Sequence, residues 1–306
     1  MPTRRELLKT AGLASLAMTL PRPSIAAALV EQTFTFRFCL NTSTISGQNP
    51  GLFGYLDIAS RAGYDGVELW VRDVEEWQKQ GKSLAALKKK ISDCKLSVEN
   101  AIGFAQWMVP DESLRKAGMQ QMKNEMEMMA ELGCIRIAAP PSGVKPESMP
   151  DLFKVASRYK ELIDLGRKTG VMPQLEFWGA SGTLYHLGQA LMVTAAANDP
   201  DVHILADVFH MYRGDSGFES LKMLNGNLIE IFHVNDFVSS IPREQQKDSD
   251  RVYPGDGAAP WKLILSELKR MGGSKVLSVE LFNETYWKED ALKVAVTALK
   301  KMQQLI

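Results

Sequence analysis

Apolar and polar positions alternate along this chain on two length scales. Short runs rich in Val, Ile, Leu and Phe recur at residues 34–41 (FTFRFCLN), 66–71 (GVELWV), 97–104 (SVENAIGF), 134–140 (CIRIAAP), 172–178 (MPQLEFW), 203–209 (HILADVF), 229–236 (IEIFHVND) and 276–282 (VLSVELF). Runs this short and this uniformly apolar predict strands buried on both faces. Between them, helical periodicity covers 52–63, 83–94, 112–133, 151–170, 182–198, 217–224, 260–273 and 288–304. In 112–133, Met122, Met126 and Met129 share one face and Gly133 supplies the stop, so the methionines are expected to pack on a sheet rather than to bind. Strand–helix alternation implies parallel strands joined by helical crossovers. Eight such units predict a closed (β/α)8 barrel, a fold of about 250 residues. The rival is a doubly wound open sheet, and no GxGxxG follows the first strand to support it. No linker or low-complexity tract divides the chain, which predicts one α/β domain over 29–306.

The segment before the first strand follows a different logic. Arg4 and Arg5 lead an apolar stretch that ends in the small-residue run SIAAA. This order of charged, apolar and cleavage regions predicts an export signal over 1–28, and Thr3-Arg4-Arg5-x-Leu7-Leu8-Lys9 resembles the twin-arginine type. The expected destination is therefore the periplasm. Lys9 interrupts the apolar stretch, which is too short for a spanning helix of about 20 residues. Beyond this signal, no membrane contact is expected.

Candidate chemistry gathers at the ends of the last four strands. The fifth ends near Glu176, the sixth near Asp207 with His210 three residues on, the seventh at His233, and the eighth near Glu280. Strand ends of a barrel open onto its C-terminal mouth, where barrel enzymes carry their active sites. One carboxylate at a strand end is ordinarily a cap or an ion-pair partner. Three carboxylates facing one another would repel, and burial would penalise each. A divalent cation held by Glu176, Asp207, His233 and Glu280 removes both costs. An oxygen-rich set with one imidazole suits Mn²⁺ first, with Mg²⁺, Co²⁺ or Zn²⁺ as alternatives.

Composition narrows the field further. Thirty-six basic residues balance thirty-six acidic ones, so no overall positive charge exists to neutralise phosphates, and no nucleic-acid partner is expected. Cys39, Cys94 and Cys134 show no CxxC spacing and predict core filler rather than a disulfide framework or metal site. His186 falls inside a helical pattern and His203 at the start of a strand, the wrong end for chemistry.

The segments LEFWG, ADVFHMYRG, HVNDF, RVYPGDG and VELFN together resemble the xylose isomerase-like TIM-barrel superfamily, near the ketose 3-epimerases and the sugar phosphate isomerase/epimerase type. The resemblance spans nearly the whole chain after the signal. It implies one metal on the four residues above, with Glu176 and Glu280 as the pair that removes and returns a proton through a metal-stabilised enediolate. It also implies substrate contacts from His210, Arg251 and Glu68, although Glu68 could equally cap the segment that follows it. Trp70, Trp107, Trp178 and Phe209 are candidate aromatic walls, Trp178 foremost. Gly255 and Gly257 would allow positive φ or close backbone approach in the long connection that carries Arg251.

A small-molecule carbohydrate is the expected partner, and the chain could form homo-oligomers. The expected activity is isomerisation or epimerisation of a keto sugar. A lyase or dehydratase would share the first proton transfer and then expel a β leaving group, for instance from a 3-keto-glycoside. A nuclease with a three-metal cluster shares the barrel but needs more histidines than the four present. A non-catalytic sugar-binding barrel would not need an intact ligand set.

Overall fold

Alternating β-branched and apolar side chains favour extended backbone where both faces of a strand are covered. In the computed structural model, which describes residues 34–306, eight strands form where that pattern is densest: β1 (Thr35–Asn41), β2 (Gly66–Trp70), β3 (Ser97–Ile102), β4 (Arg136–Ala139), β5 (Met172–Glu176), β6 (Ile204–Asp207), β7 (Ile231–Val234) and β8 (Ser274–Val279). All neighbours run parallel in sequence order, and β8 returns to β1 with partners from Thr35–Ser274 to Leu40–Val279. The sheet is thus a closed barrel, as the alternation predicts. The expected signal over residues 1–28 lies outside the described residues. Among the described residues, no helix is long and apolar enough to cross a membrane.

Nine α-helices accompany the strands among the described residues: α1 (Gly51–Ala62), α2 (Val71–Lys79), α3 (Leu84–Asp93), α4 (Glu112–Glu131), α5 (Leu152–Thr169), α6 (Leu187–Ala197), α7 (Val208–Arg213), α8 (Trp261–Met271) and α9 (Ala291–Gln304). Met122, Met126 and Met129 of α4 are fully buried in the layer between sheet and helices. A second cluster, with Cys39, Ala138, Leu205, Ile231 and Val276, is separate from that layer and corresponds to the filled inside of a barrel. Cys39 and Cys134 are buried and all three cysteines are free.

Four local expectations need correction. α2 occupies the stretch after β2 to which the pattern assigns no element, because Val71 and Val74 are buried at helical spacing and Trp77 stacks on Phe53 of α1. α7 begins directly after β6, where the apolar pair Val208-Phe209 looked like more strand; Asp207 caps it by accepting the His210 N–H at 2.7 Å. Residues 217–224 form only a 3₁₀ turn, Phe218–Met223. The pattern at 182–198 becomes helical only at Leu187, with His186 as its N-cap, its Nδ1 accepting the Gly188 N–H at 2.8 Å. Capping, not a place within the helix, is what His186 does here.

Candidate functional site

Strand register sets the level of the mouth. Asp207 is the β-partner of His233, and His233 is the partner of Ser278, two residues before Glu280. As a result, one ligand atom each of Asp207, His233 and Glu280 lies within 4.8 Å of the others, and all three residues are buried. Glu176, at the end of β5, stands outside that tight group but lines the same pocket as Glu280, His210 and Arg251. The structure therefore brings three of the four expected ligands together and places the fourth on the adjoining wall.

Each converging group is held from behind. Asp207 Oδ2 accepts from Asn235 Nδ2 at 2.8 Å, while Asn235 Oδ1 accepts the Phe209 N–H. Glu280 Oε1 accepts from Asn41 Nδ2 at 3.0 Å. The Nε2 edge of His233 faces the Glu68 carboxylate at 2.9 Å. Its Nδ1 points at the acids, 3.3 Å from Glu280 and 3.8 Å from Asp207, and makes no hydrogen bond.

Arg251 is the cation of this cluster. Its Nη1 donates to Asp207 Oδ2 at 3.1 Å and to Glu280 Oε2 at 2.8 Å, and its Nη2 to Asp248. The guanidinium lies 4.7 Å from the Phe209 ring centroid and 5.2 Å from that of Phe282, cation–π contacts that strengthen when desolvated. The loop that carries Arg251 is fastened by Asp236, which accepts from the N–H groups of Gly255 and Ala259 and from Trp261 Nε1. Both loop glycines are needed. Gly255 has φ of +87°, and a Cβ on Gly257 would stand 2.3 Å from the Phe237 carbonyl oxygen.

Electrostatics separate the two glutamates on the pocket wall. Burial, with help from Glu280 and Asp207 and against the pull of His233, pushes Glu176 up to about 8. Glu280 goes the other way. Burial would raise it, but His233 and Arg251 together hold it well below the usual carboxylate range. For His233, burial opposes the charged form, yet Glu280 and Glu68 outweigh it and raise the imidazole well above its ordinary value. His210 is depressed, by burial first and by Arg251 as well, so its ring is neutral near pH 7.

The pocket above these groups has a volume of about 410 Å³, within the usual range for small-molecule sites. Its floor is polar, with Glu176, His210, Arg251 and Glu280; its walls include Trp70, Phe104, Trp178 and Phe282. Trp70 lies 5.4 Å from Phe104 and 6.1 Å from Phe282, and Phe104 lies 6.1 Å from Trp178, so the four rings form a continuous collar.

Three expected site residues are misplaced by the sequence. Trp107 is no wall of this pocket: it is fully buried, donates from Nε1 to the Pro140 carbonyl and packs on Tyr159. Glu68 is no substrate contact. It is fully buried beneath the site and its carboxylate also accepts from Asn41, Asn100 and Ser278, so no lone pair remains for a ligand. Phe209 sits under Arg251 rather than on the wall. The residues missed are Asn41, Asn235 and Ser278, along with Phe104 and Phe282. Asn41 and Asn235 stand at the ends of apolar runs, the same signal that marked the ligands, whereas Ser278 lies inside its run and carries no such mark.

The donor set fits a divalent cation. Three acids and an imidazole with an unpartnered, buried Nδ1 aimed into them form an arrangement that one guanidinium does not neutralise. Asp207, His233 and Glu280 would hold such an ion, with Glu176 the adjoining carboxylate.

Comparisons with known proteins bear on the family and the fold. Residues 56–304 match the family model described as xylose isomerase-like TIM barrel. Inosose isomerase of Bacillus velezensis is 30% identical over 275 residues, covering 88% of this chain and 97% of that protein. Inosose isomerase of Bacillus subtilis strain 168 is 31% identical over 269 residues, covering 86% and 95%. The crystal structure of the IOLI protein with a binding zinc atom superposes with a TM-score of 0.80 at 28% identity, covering 88% of this chain and 97% of that one. With its eight-stranded barrel and a family match over most of its length, the chain belongs to the xylose isomerase-like TIM-barrel family.

Proposed function

We propose that this protein is a divalent-metal-dependent isomerase or epimerase of neutral keto-polyols, with a keto-cyclitol of the inosose kind as the leading substrate. The observation that carries this reading is the meeting of Asp207, His233 and Glu280 below a pocket whose one lining cation among the described residues is already committed. Arg251 is engaged by Asp207, Glu280 and Asp248, and among the described residues no other lysine or arginine lines the pocket. A phosphorylated sugar would lack a clamp there, whereas C–H faces of a neutral ring suit the four aromatic walls.

A divalent cation bound at this site would polarise a substrate carbonyl and acidify the adjacent C–H. Mn²⁺ is the preferred ion in this reading, with Mg²⁺, Co²⁺ or Zn²⁺ as substitutes. The chain's own groups then divide the proton work. Glu280, kept ionised, is placed to accept the proton; Glu176, whose environment favours the acid form, is placed to deliver one. Two carboxyls pushed in opposite directions by their surroundings mark such an acid–base pair. Neutral His210 would orient hydroxyl and carbonyl oxygens at the floor, Arg251 would meet the substrate only through the edge that its three carboxylates leave unpaired, and Trp178 would cover the ring. Export through the twin-arginine signal over residues 1–28 forms part of the same reading. It is checked by fractionating cells that express the wild type or the Arg4→Lys, Arg5→Lys double variant: loss of periplasmic protein in the variant is expected.

The central test is proton exchange. Metal-loaded enzyme in D₂O should place deuterium beside the carbonyl of an inosose or a ketohexose, followed by NMR, and Glu280→Gln should not. No exchange with either substrate by the loaded wild type would end the proposal. A second reading uses the polar floor and aromatic walls of the same pocket. If a leaving group sits β to the carbonyl, the same proton abstraction expels it with its bond electrons and leaves an enone. Release of an aglycone from a 3-keto-glycoside, without epimer formation, would select that lyase reading.

A further inference from the structure

We infer that Glu68 is a positioning residue that fixes His233 in the tautomer presenting a bare Nδ1 to a cation at the mouth. The inference rests on the proposed metal site and deepens it. Four groups converge on the Glu68 carboxylate: Asn100 Nδ2 at 2.7 Å on Oε1, Asn41 Nδ2 at 2.8 Å and Ser278 Oγ at 2.7 Å on Oε2, and His233 Nε2 at 2.9 Å. The orientation of Asn41 follows from its neighbours. Its Oδ1 accepts from Trp70 Nε1 at 2.9 Å and from the Ser43 N–H at 3.0 Å, neither of which can accept in return. Its Nδ2 must therefore face the carboxylates. The Asn100 amide is fixed similarly, since its oxygen turned toward Glu68 would set acceptor against acceptor.

An ionised carboxylate offers about four lone-pair sites and no donor. Glu68 has every site filled and can give nothing back, so the His233 nitrogen facing it carries the hydrogen. With a cation bound at the mouth in place of the second imidazole proton, the other nitrogen presents its lone pair. That nitrogen is Nδ1, buried, without a hydrogen bond, and aimed at Asp207 and Glu280. Outer partners of this kind typically affect metal affinity about 10–100-fold. Asn41 extends the device. It bridges Glu68 and Glu280, and it ties the Trp70 wall to both.

The chain's four histidines make a direct spectroscopic test practical. In zinc-loaded, ¹⁵N-histidine-labelled wild type, two-bond correlations should show His233 protonated at Nε2 with Nδ1 shifted by the metal. Zinc affinity, measured by competition with a chromogenic chelator, should fall about 10–100-fold in Glu68→Gln, while circular dichroism of the metal-free protein stays native. The variant amide would turn an NH₂ toward existing donors, so it isolates the acceptor role from side-chain volume. Protonation of His233 at Nδ1 in the zinc-loaded wild type would overturn the inference, as would zinc binding by Glu68→Gln within twofold of wild type. If Glu68→Gln does not fold, the wild-type spectrum still decides. If the wild type binds no zinc, the metal reading fails and takes the inference with it; binding with the wrong tautomer sinks the inference alone.

Discussion

At the N-terminal end of the barrel, Arg37 of β1 meets Glu99 of β3 at 2.7 Å and Arg136 of β4 meets Glu230 at 2.8 Å, while Lys275 of β8 donates to the Gly226 carbonyl at 3.0 Å. At the C-terminal mouth, Glu68, Glu176, Asp207 and Glu280 face one guanidinium and one imidazole. Both ends bury charge, yet only the first is nearly balanced by its own residues. Paired charges mark structure, because each partner offsets the other's desolvation. A surplus of one sign, with pKa values driven apart, marks a place where something else must bind. The strand beginnings therefore read as a staple and the strand ends as a site.

The sharpest way to break this comparison is to neutralise one acid at each end. Glu280→Gln should lower the rate of deuterium exchange by 10³-fold or more, on the order of what a positioned general base supplies. The metal-free fold should persist at some loss of stability, since the amide oxygen can still accept from Arg251 although the charge that His233 and Arg251 favour is gone. Glu99→Gln should do the reverse. It strips Arg37 and part of the support of Arg136, and a loss of about 2–4 kcal/mol in urea unfolding is expected, discounted because Arg37 is partly exposed. Exchange per folded molecule should stay near wild type. Equal loss of activity in both variants would show that the two ends are not separate devices.

Removing the ion tests the surplus directly. A ligand that binds only the folded state stabilises it by about 2.7 kcal/mol at a hundredfold excess over Kd. Adding Zn²⁺ or Mn²⁺ to chelator-treated protein should therefore raise Tm by several degrees, and His233→Ala should abolish that rise while leaving the staple end intact. A rise that survives in His233→Ala would place the ion elsewhere.

Much of this contrast was legible in the sequence, and the reason is geometric. Glu176, Asp207, His233 and Glu280 each close an apolar run, and parallel strands bring the ends of such runs to one level. The supporting residues were harder to see. Asn41 and Asn235 stand near strand ends and Ser278 pairs with His233 across the sheet, but an amide or hydroxyl in such places is so common that only the carboxylates it faces reveal its use. Glu68 misled for a related reason. It stands in the same kind of run as the ligands, one strand-pair removed, and sequence position cannot say whether a carboxylate faces the pocket or the back of His233. Trp107 misled because a loop tryptophan has no periodicity to show which way it points. Phe104 and Phe282 follow β3 and β8 closely, so the aromatic collar was readable only once strand ends were known to the residue.

Glu125 of α4 offers a smaller test of the same idea, because it is buried acid with neither a staple nor a ligand. Its Oε1 accepts from Gln121 at 2.7 Å, its Oε2 has no partner, and a Cβ on Gly103 would stand 2.6 Å from that oxygen. Burial raises its pKa to about 7, with Gln121 opposing and Glu75 assisting. The sign follows from linkage. In the unfolded chain the group titrates near 4.5, so from there to about 7 the folded state keeps a proton that the unfolded state has lost, and stability falls as pH rises through this window. Below 4.5 both states are protonated and nothing is lost; above 7 the full penalty stands, about 3 kcal/mol for a side chain this deeply buried. Glu125→Gln should therefore match wild type in urea unfolding at pH 4 and exceed it by about that amount at pH 8. A constant difference across the range would mean that Glu125 is ionised in the fold and that a cationic partner, not desolvation, governs it. In that case surplus buried charge would no longer distinguish the mouth from the rest of the barrel.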